Sequence, residues 1–457
     1  MSLGIFRMII NKGINQFIST DGRSKMLKSN ILYSAILKVI GLITSLLVVT
    51  ITLNYLNSEL YGVWLTITSI LYWFSFFDIG LGNGMRNYLT EAVSKGNYKE
   101  AQSYLSTTII ALTMIASIIA IVGFILLKLL NLNSVFNTNT ISNTELQNVL
   151  FVAIGFTLIL FVLKNIGYVF VALQKYALWD FINTLGNIIG LLIIFLLTKF
   201  TNGKLIYVVF AFTCTPAIIY ILAAIPIFSK YPEFRPTIQS FRKDFLSTIV
   251  GKGLGFFLIQ ITSCLVIYGS SNLFITQFCG PESVTTYNIA YKFFNLLAIG
   301  YLVFISPMWN AYTDAYVKQD FNWIEKAFKS ALKIWLFTEF AGIIMLIVSQ
   351  YFYLFWVGKA VHVPFMVSLS VFLYISFFNL NNCVTYLLNG LNKIYIQIIT
   401  SITATFIYLT IMFVWGKNMN IQEIVFYMSA AYGTMTAIHF YQCRKLIKQK
   451  ATGIWNK

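Results

Sequence analysis

Apolar runs of about 20 residues recur along almost the whole of this 457-residue chain, and they constrain its fold more than any other feature. A helix needs about 20 such residues to cross the roughly 30 Å hydrocarbon core of a bilayer. The runs fall at 31–53, 60–82, 105–130, 146–171, 181–200 and 205–228. After a polar, proline-containing stretch at 229–248 they resume at 249–276, 284–309, 333–356, 364–388, 394–415 and 421–441. Apolar residues make up 58% of the chain and charged residues 10%, so these runs absorb nearly all the apolar content and a soluble protein is excluded. In lipid every backbone polar group must be satisfied inside the segment, which makes runs of this length helices. The predicted fold is an all-α integral membrane protein with about 12 transmembrane helices.

The chain has 32 Lys and Arg against 15 Asp and Glu, a formal charge of +17. When alternate connections are assigned to opposite sides of the membrane, the side holding both termini carries 22 of the cations and the other side only Lys199, Lys204, Lys359 and Lys417. Cytoplasmic loops are the ones enriched in Lys and Arg, so both termini are expected in the cytoplasm. The excess is therefore a matter of topology and attraction to anionic membrane lipids, and no nucleic-acid partner is implied. Residues 1–30 carry Arg7, Lys12, Arg23, Lys25 and Lys28 in a broken apolar pattern and read as an amphipathic cytoplasmic arm; 442–457 read as a basic tail. Five scattered cysteines with no CxxC pair, and only His362 and His439 beside them, predict neither a metal site nor a disulfide framework. No connection exceeds about 20 residues, too short for a folded soluble domain. No GxxxxGK[ST] segment is present for nucleotide hydrolysis.

The two halves repeat at an offset of 223 residues. This offset pairs Glu59 with Glu282, Met85 with Met308, Asn87 with Asn310, Thr90 with Thr313, Glu91 with Asp314, Ala92 with Ala315 and Lys95 with Lys318, so that MRNYLTEA answers MWNAYTDA. The predicted organisation is two six-helix lobes, 31–228 and 249–441, joined by a cytoplasmic linker at 229–248 and related by a pseudo-two-fold axis along the membrane normal. Transporters built from parallel repeats hold substrate between the lobes near the midplane, which predicts alternating access.

A charge near the bilayer centre costs about 2.5 to 3.5 kcal/mol on insertion scales, so buried ions mark cavities or pathways. Six lysines lie inside the proposed spans. Lys38 shares a helical stripe with Ser34, Gly41 and Ser45, Lys292 shares one with Asn288 and Asn295, and Lys164 one with Thr157 and Tyr168. These three are expected to line a central cavity; the alternative is a tilted helix with a snorkelling ammonium. Lys128, Lys252 and Lys333 lie nearer span ends, where snorkelling accounts for them, although depth also admits Lys252 to the cavity. Glu339, the acid clearly at depth, would carry a proton or sodium ion or pair with a nearby lysine. Asp78 is a second ion-coupling candidate, in FDIGLGNGMRN, whose glycines end a helix rather than form a dinucleotide loop because no βαβ unit surrounds them. Pro216, Pro226 and Pro307 are expected to kink their helices. Asn288, Asn295 and Asn382 suit hydrogen bonding to sugar hydroxyls, or equally the joining of helices.

Residues 77–108, FDIGLGNGMRNYLTEAVSKGNYKEAQSYLSTT, resemble the Wzx-type O-antigen and oligosaccharide flippases of the polysaccharide transport family. The matching positions are Asp78, Gly80, Leu81, Gly82, Arg86, Asn87, Glu91, Lys95, Gly96, Asn97, Ala101, Tyr104, Ser106 and Thr107, with Met85 where the family usually has Leu. The resemblance covers the length and twelve-span plan of nearly the whole chain. It implies a flippase, not an enzyme, that moves an undecaprenyl-pyrophosphate-linked oligosaccharide across the bacterial cytoplasmic membrane for O-antigen or other surface polysaccharide synthesis. It needs no cofactor, draws on a proton or sodium gradient if coupled, and works beside the polymerase and chain-length proteins of its pathway. A cationic cavity would offset the desolvation of the pyrophosphate. Lys38, Lys164, Lys252 and Lys292 are nominated from depth, whereas Arg86 is a motif position that receives the head group at the entrance or pins the loop. A cation-coupled multidrug exporter of the same superfamily would have an acid-rich cavity, and a membrane-embedded polymerase a sizeable extramembrane loop; this sequence has neither.

Overall fold

The computed structural model describes residues 22–78, 81–173, 175–246 and 269–456. Most of the N-terminal arm and of the run at 249–276, with Lys252, lies outside them. Among the described residues there is no strand. The first half contains α1 (Gly22–Leu56), α2 (Ser58–Trp73), α3 (Leu81–Ser94), α4 (Tyr98–Leu129), α5 (Asn143–Leu163), α6 (Tyr176–Phe200) and α7 (Thr215–Lys230). The second contains α8 (Ser271–Cys279), α9 (Pro281–Ile305), α10 (Met308–Val317), α11 (Phe321–Val357), α12 (Phe365–Gly390), α13 (Tyr395–Trp415) and α14 (Ile421–Ile447).

Ten of the described helical segments are long and apolar enough to cross a membrane, and each coincides with a run expected from the sequence. The expected twelfth span is α14, a 27-residue helix diluted by buried Ser429, Thr436, His439 and Gln442. α1 begins at Gly22, nine residues before the apolar run that predicted it. The prolines act differently from one another. Pro307 separates α9 from α10, Pro216 follows a π-helical turn at Phe210–Cys214, and Pro226 lies within the continuous α7.

Each half packs mainly on itself: α1 on α6 and α4 on α5 in the first, α12 on α9 and α14 in the second. Within each half the connections segregate to two ends. At the basic end, which carries the cation-rich connections, Gln102 Nε2 donates to Arg235 O at 2.8 Å and Thr313 Oγ1 to Gly390 O at 2.8 Å. At the opposite end Tyr55 OH donates to Asn202 O at 3.0 Å and Cys279 Sγ to Met419 O at 3.4 Å.

At two places the 223-residue offset recurs in local structure. Asn57 and Gly280, 223 residues apart, both precede their helix with φ near +85°. Gly96 and Gln319 are likewise both at positive φ, +70° and +56°. Asn97 and Asp320 then cap α4 and α11 through their side chains, accepting from Glu100 N and Trp323 N. The pairs Lys95–Glu91 and Lys318–Asp314 close the same turn at 2.6 and 2.7 Å.

The segment 229–246 is docked rather than free. Ser106 Oγ accepts from Thr237 N at 3.1 Å and Thr107 Oγ1 from Arg242 N at 3.0 Å, both from buried positions on α4. Tyr104 stacks on Phe245 with ring centroids 4.3 Å apart. These motif residues hold the connection between the halves against the first one.

Candidate functional site

A cavity of about 740 Å³ lies between the two halves. α1 contributes Gly41, Thr44, Ser45 and Val48, spaced at i, i+3, i+4 and i+7, the face of one helix. α2 contributes Tyr61, Trp64, Thr68 and Tyr72 at the same kind of spacing, and α9 contributes Tyr287, Asn288, Tyr291 and Lys292. Lys164 and Asn187 enter from the first half and Asn272 from α8.

Among the described residues two ammonium groups line this space and no carboxylate does. Lys292 is the twelfth residue of the 25-residue α9 and so lies at mid-helix. Lys164 stands where the fourth span breaks: α5 ends at Leu163, a 3-10 turn spans Lys164–Ile166, and the helix resumes at Gly167. Its Nζ lies 5.5 Å from the centroid of the Phe161 ring. The 3-10 turn keeps the backbone bonded, Lys164 N–H to Leu160 O and Gly167 N–H to Lys164 O, while placing the lysine in the lining.

The other nominated residues separate. Lys38 is exposed, on the face of α1 that carries Gly41 and Ser45 but one turn nearer the basic end; it does not line the cavity. Arg86 is exposed on α3, with Thr90 Oγ1 donating to its carbonyl at 2.7 Å. Asp78 lies outside the lining, within electrostatic reach of Lys164 and Tyr168. A Cβ on Gly82 would lie 2.8 Å from Asn165 Oδ1, 3.1 Å from Asp78 Oδ2 and 3.2 Å from Tyr168 Cε2, so this motif glycine lets the end of the second span close onto the broken fourth one.

Of the asparagines, Asn288 lines the cavity and donates to Asn272 Oδ1 at 2.8 Å, whereas Asn295 and Asn382 do not line it. Asn295 Oδ1 accepts instead from Tyr291 OH at 3.2 Å. Glu339 also lies apart, hydrogen-bonded by the Ser376 side chain of α12 rather than by a lysine. Sequence reasoning missed Tyr61, Trp64, Asn272 and Tyr287. Tyr61 and Trp64 lie on α2, Asn272 on α8 and Tyr287 on α9, and nothing in their hydropathy separates them from residues that face lipid.

The halves meet at the end opposite the basic connections. At the opposite end Thr285 Oγ1 donates to Ser58 O at 2.7 Å, Gln277 Nε2 to Val135 O at 3.0 Å and Trp356 Nε1 to Leu46 O at 3.1 Å. Below them Asn272 Nδ2 donates to Ser69 Oγ at 2.7 Å, and Trp73 Nε1 to Gly269 O at 3.0 Å. Gly62 makes the close approach possible, because a Cβ there would fall 1.8 Å from Pro281 O.

No family model matches the chain. A candidate O-antigen export protein of Yersinia pseudotuberculosis is 25% identical over 277 residues, 60% of this chain and 62% of that protein. A candidate O-antigen transporter of Salmonella typhi is 24% identical over 289 residues, 62% and 64% of the two chains. The matched region thus spans just under two thirds of these relatives. Among solved structures, the inward-facing form of a multidrug resistance MATE family transporter of the MOP superfamily superposes with a TM-score of 0.75 at 15% identity, covering 89% of this chain and 95% of that one. An outward-facing form under the same description gives 0.61. The lipid II flippase MurJ, in an inward closed conformation, gives 0.67 at 14% identity over 93% and 88% of the chains. The resemblance read from residues 77–108 agrees with the names of these relatives. The chain has the fold shared by a MATE exporter and a lipid II flippase.

Proposed function

We propose that this protein moves a polyprenyl-pyrophosphate-linked oligosaccharide from the cytoplasmic to the outer leaflet of a bacterial inner membrane, by alternating access of two lobes, 31–228 and 249–441, joined by the docked linker. The observation that carries this reading is the sign of the cavity: among the described residues Lys164 and Lys292 line it and no carboxylate does. Desolvated ammonium groups are costly unless something anionic answers them. A cation exporter would need the reverse arrangement, so the MATE-like fold is read here as shared architecture with a different cargo.

The basic end is taken as cytoplasmic by the distribution of Lys and Arg, with both termini there. The cavity then faces the side on which a lipid-linked glycan is assembled, in keeping with the better superposition on the inward-facing exporter. Lys38 and Arg86 lie toward that mouth, positioned to meet the pyrophosphate first. Tyr72, exposed on the lining, offers a ring face to sugars, and Asn187 and Asn288 offer amides to hydroxyls. The coupling ion, where one is used, is a proton or sodium ion; Asp78 and Glu339 stay outside the cavity and would act on it indirectly.

Native mass spectrometry of the purified protein tests the cargo. A co-purifying polyprenyl-pyrophosphate glycan, lost from a Lys164→Ala/Lys292→Ala variant, is the expected result. Only bulk phospholipid on both proteins would overturn the reading.

A further inference from the structure

The two ammonium groups of the cavity belong to different halves and stand at different depths. Lys164 is the twenty-second residue of its span, Asn143–Ala172, whereas Lys292 is the twelfth residue of α9. Both spans start at the end opposite the basic connections. There Gln277 Nε2 donates to Ser134 O at 3.2 Å and Asn137 Nδ2 to Gln277 O at 3.3 Å, which ties the two starts together. At about 1.5 Å of rise per residue, Lys164 lies about 15 Å nearer the basic end than Lys292. The side chains do not close this gap. Lys164 Nζ leans back over the ring of Phe161, one turn toward the start of its helix, and the Cα–Cβ bonds of α9 tilt in the same direction along theirs. One pyrophosphate therefore meets the two lysines in turn.

The charge around them differs as well. Asn165 Oδ1 and Asp78 Oδ2 border one point, 2.8 and 3.1 Å from where a Cβ on Gly82 would lie. The Asp78 carboxylate thus stands beside the residue that follows Lys164, and its charge acts on the Lys164 ammonium. Nothing comparable faces Lys292. Among the described residues no carboxylate lines the cavity, and 247–268, which lies outside them, contains no Asp or Glu. An anion gains less from an ammonium whose field is partly cancelled by a carboxylate than from a lone one at the same distance. Lys164 is the weaker station and Lys292 the stronger. Attraction therefore increases from the basic end toward the end where the halves meet, whereas two uncompensated lysines would hold the cargo at whichever it reached first.

We infer that Lys164 on the first half receives the pyrophosphate and passes it to Lys292 on the second, and that Asp78 is the positioning residue that keeps the first station weak enough to release it. This order of events rests on the transport reading above and deepens it.

The test is binding of farnesyl pyrophosphate, a soluble prenyl pyrophosphate, to the full chain in lipid nanodiscs, followed by stopped flow. A charge met early governs association and one met at the end of the path governs dissociation. Lys164→Ala should slow association severalfold and leave dissociation near the wild type. Lys292→Ala should speed dissociation severalfold and leave association unchanged. Asp78→Asn should tighten binding severalfold yet slow translocation of a polyprenyl-pyrophosphate oligosaccharide in proteoliposomes, with Asp78→Glu close to the wild type in both. The tightening should vanish when Lys164 is already Ala. A carboxylate that only held the fold would lose binding and rate together. The same rate constant altered equally in both lysine variants would overturn the two stations. Binding not tightened by Asp78→Asn, or tightened without Lys164, would overturn the role of Asp78. Where Asp78→Asn does not fold, the comparison of the two lysines still decides the order. A wild type that binds farnesyl pyrophosphate no better than farnesol would refute the transport reading itself, whereas specific binding without the split would refute the order alone.

Discussion

Lys292 and Lys164 reach the same cavity by different routes, one from the middle of a regular helix and one from the break between two helical pieces. If both meet a pyrophosphate, each ammonium makes a charge-assisted contact worth about 1.5 to 3 kcal/mol. Lys292→Ala is therefore expected to slow translocation by about tenfold or more, the double variant to abolish it, and Lys292→Arg to retain most of it; initial rates in proteoliposomes measure all three. Depth in an apolar run was enough to single out both lysines, because an ion there always needs a reason. It was not enough for Lys38, whose stripe does face the cavity side but whose position is one turn toward the mouth. Tyr61 and Trp64 were not legible at all, since an aromatic that lines a wet cavity and one that faces lipid have the same hydropathy, and only the rotation of α2 against α9 distinguishes them.

At the scale of elements, the 223-residue offset was readable as letters and recurs in local backbone at matching turns. Gly96 and Gln319 occupy equivalent turns at positive φ, a conformation that costs a side-chain-bearing residue about 1 kcal/mol. Gln319→Gly is expected to raise stability by about that amount and Gly96→Ala to lower it by a similar one, as read from unfolding in detergent. The fate of 229–246 was not readable. Its polar, proline-containing sequence looks like a free linker, and its docking depends on hydroxyls of Ser106 and Thr107 that are 131 and 135 residues away from their partners. Replacing both by Ala should cost about 1 kcal/mol for each hydrogen bond and expose the segment to limited proteolysis; an unchanged cleavage pattern would mean the stacking of Tyr104 on Phe245 suffices.

For the whole molecule, the ten spans found among the described residues, their order and the polar interruption between halves followed from hydropathy, while α14 is a helix whose apolar signal is diluted by the residues that pack its interior. The conformational state was beyond the sequence because it resides in contacts between halves. Those contacts converge near Gly62, where any side chain meets the Pro281 carbonyl. Gly62→Leu is expected to hold the opposite end apart and shift the population toward the outward-open state. Thiol labelling at a cysteine placed at Ser75 should then fall from the basic side, and unchanged labelling would show that the seal does not control access.

The central claim is that this chain carries a lipid-linked oligosaccharide across a bilayer through a cationic cavity. The direct measurement is exposure of the glycan on a polyprenyl-pyrophosphate oligosaccharide to a membrane-impermeant lectin after it is loaded on one leaflet of proteoliposomes. Rapid exposure with the wild-type protein, absent with Lys164→Ala/Lys292→Ala, is the predicted result; wild-type vesicles no faster than protein-free ones, or a double variant as fast as the wild type, would contradict it.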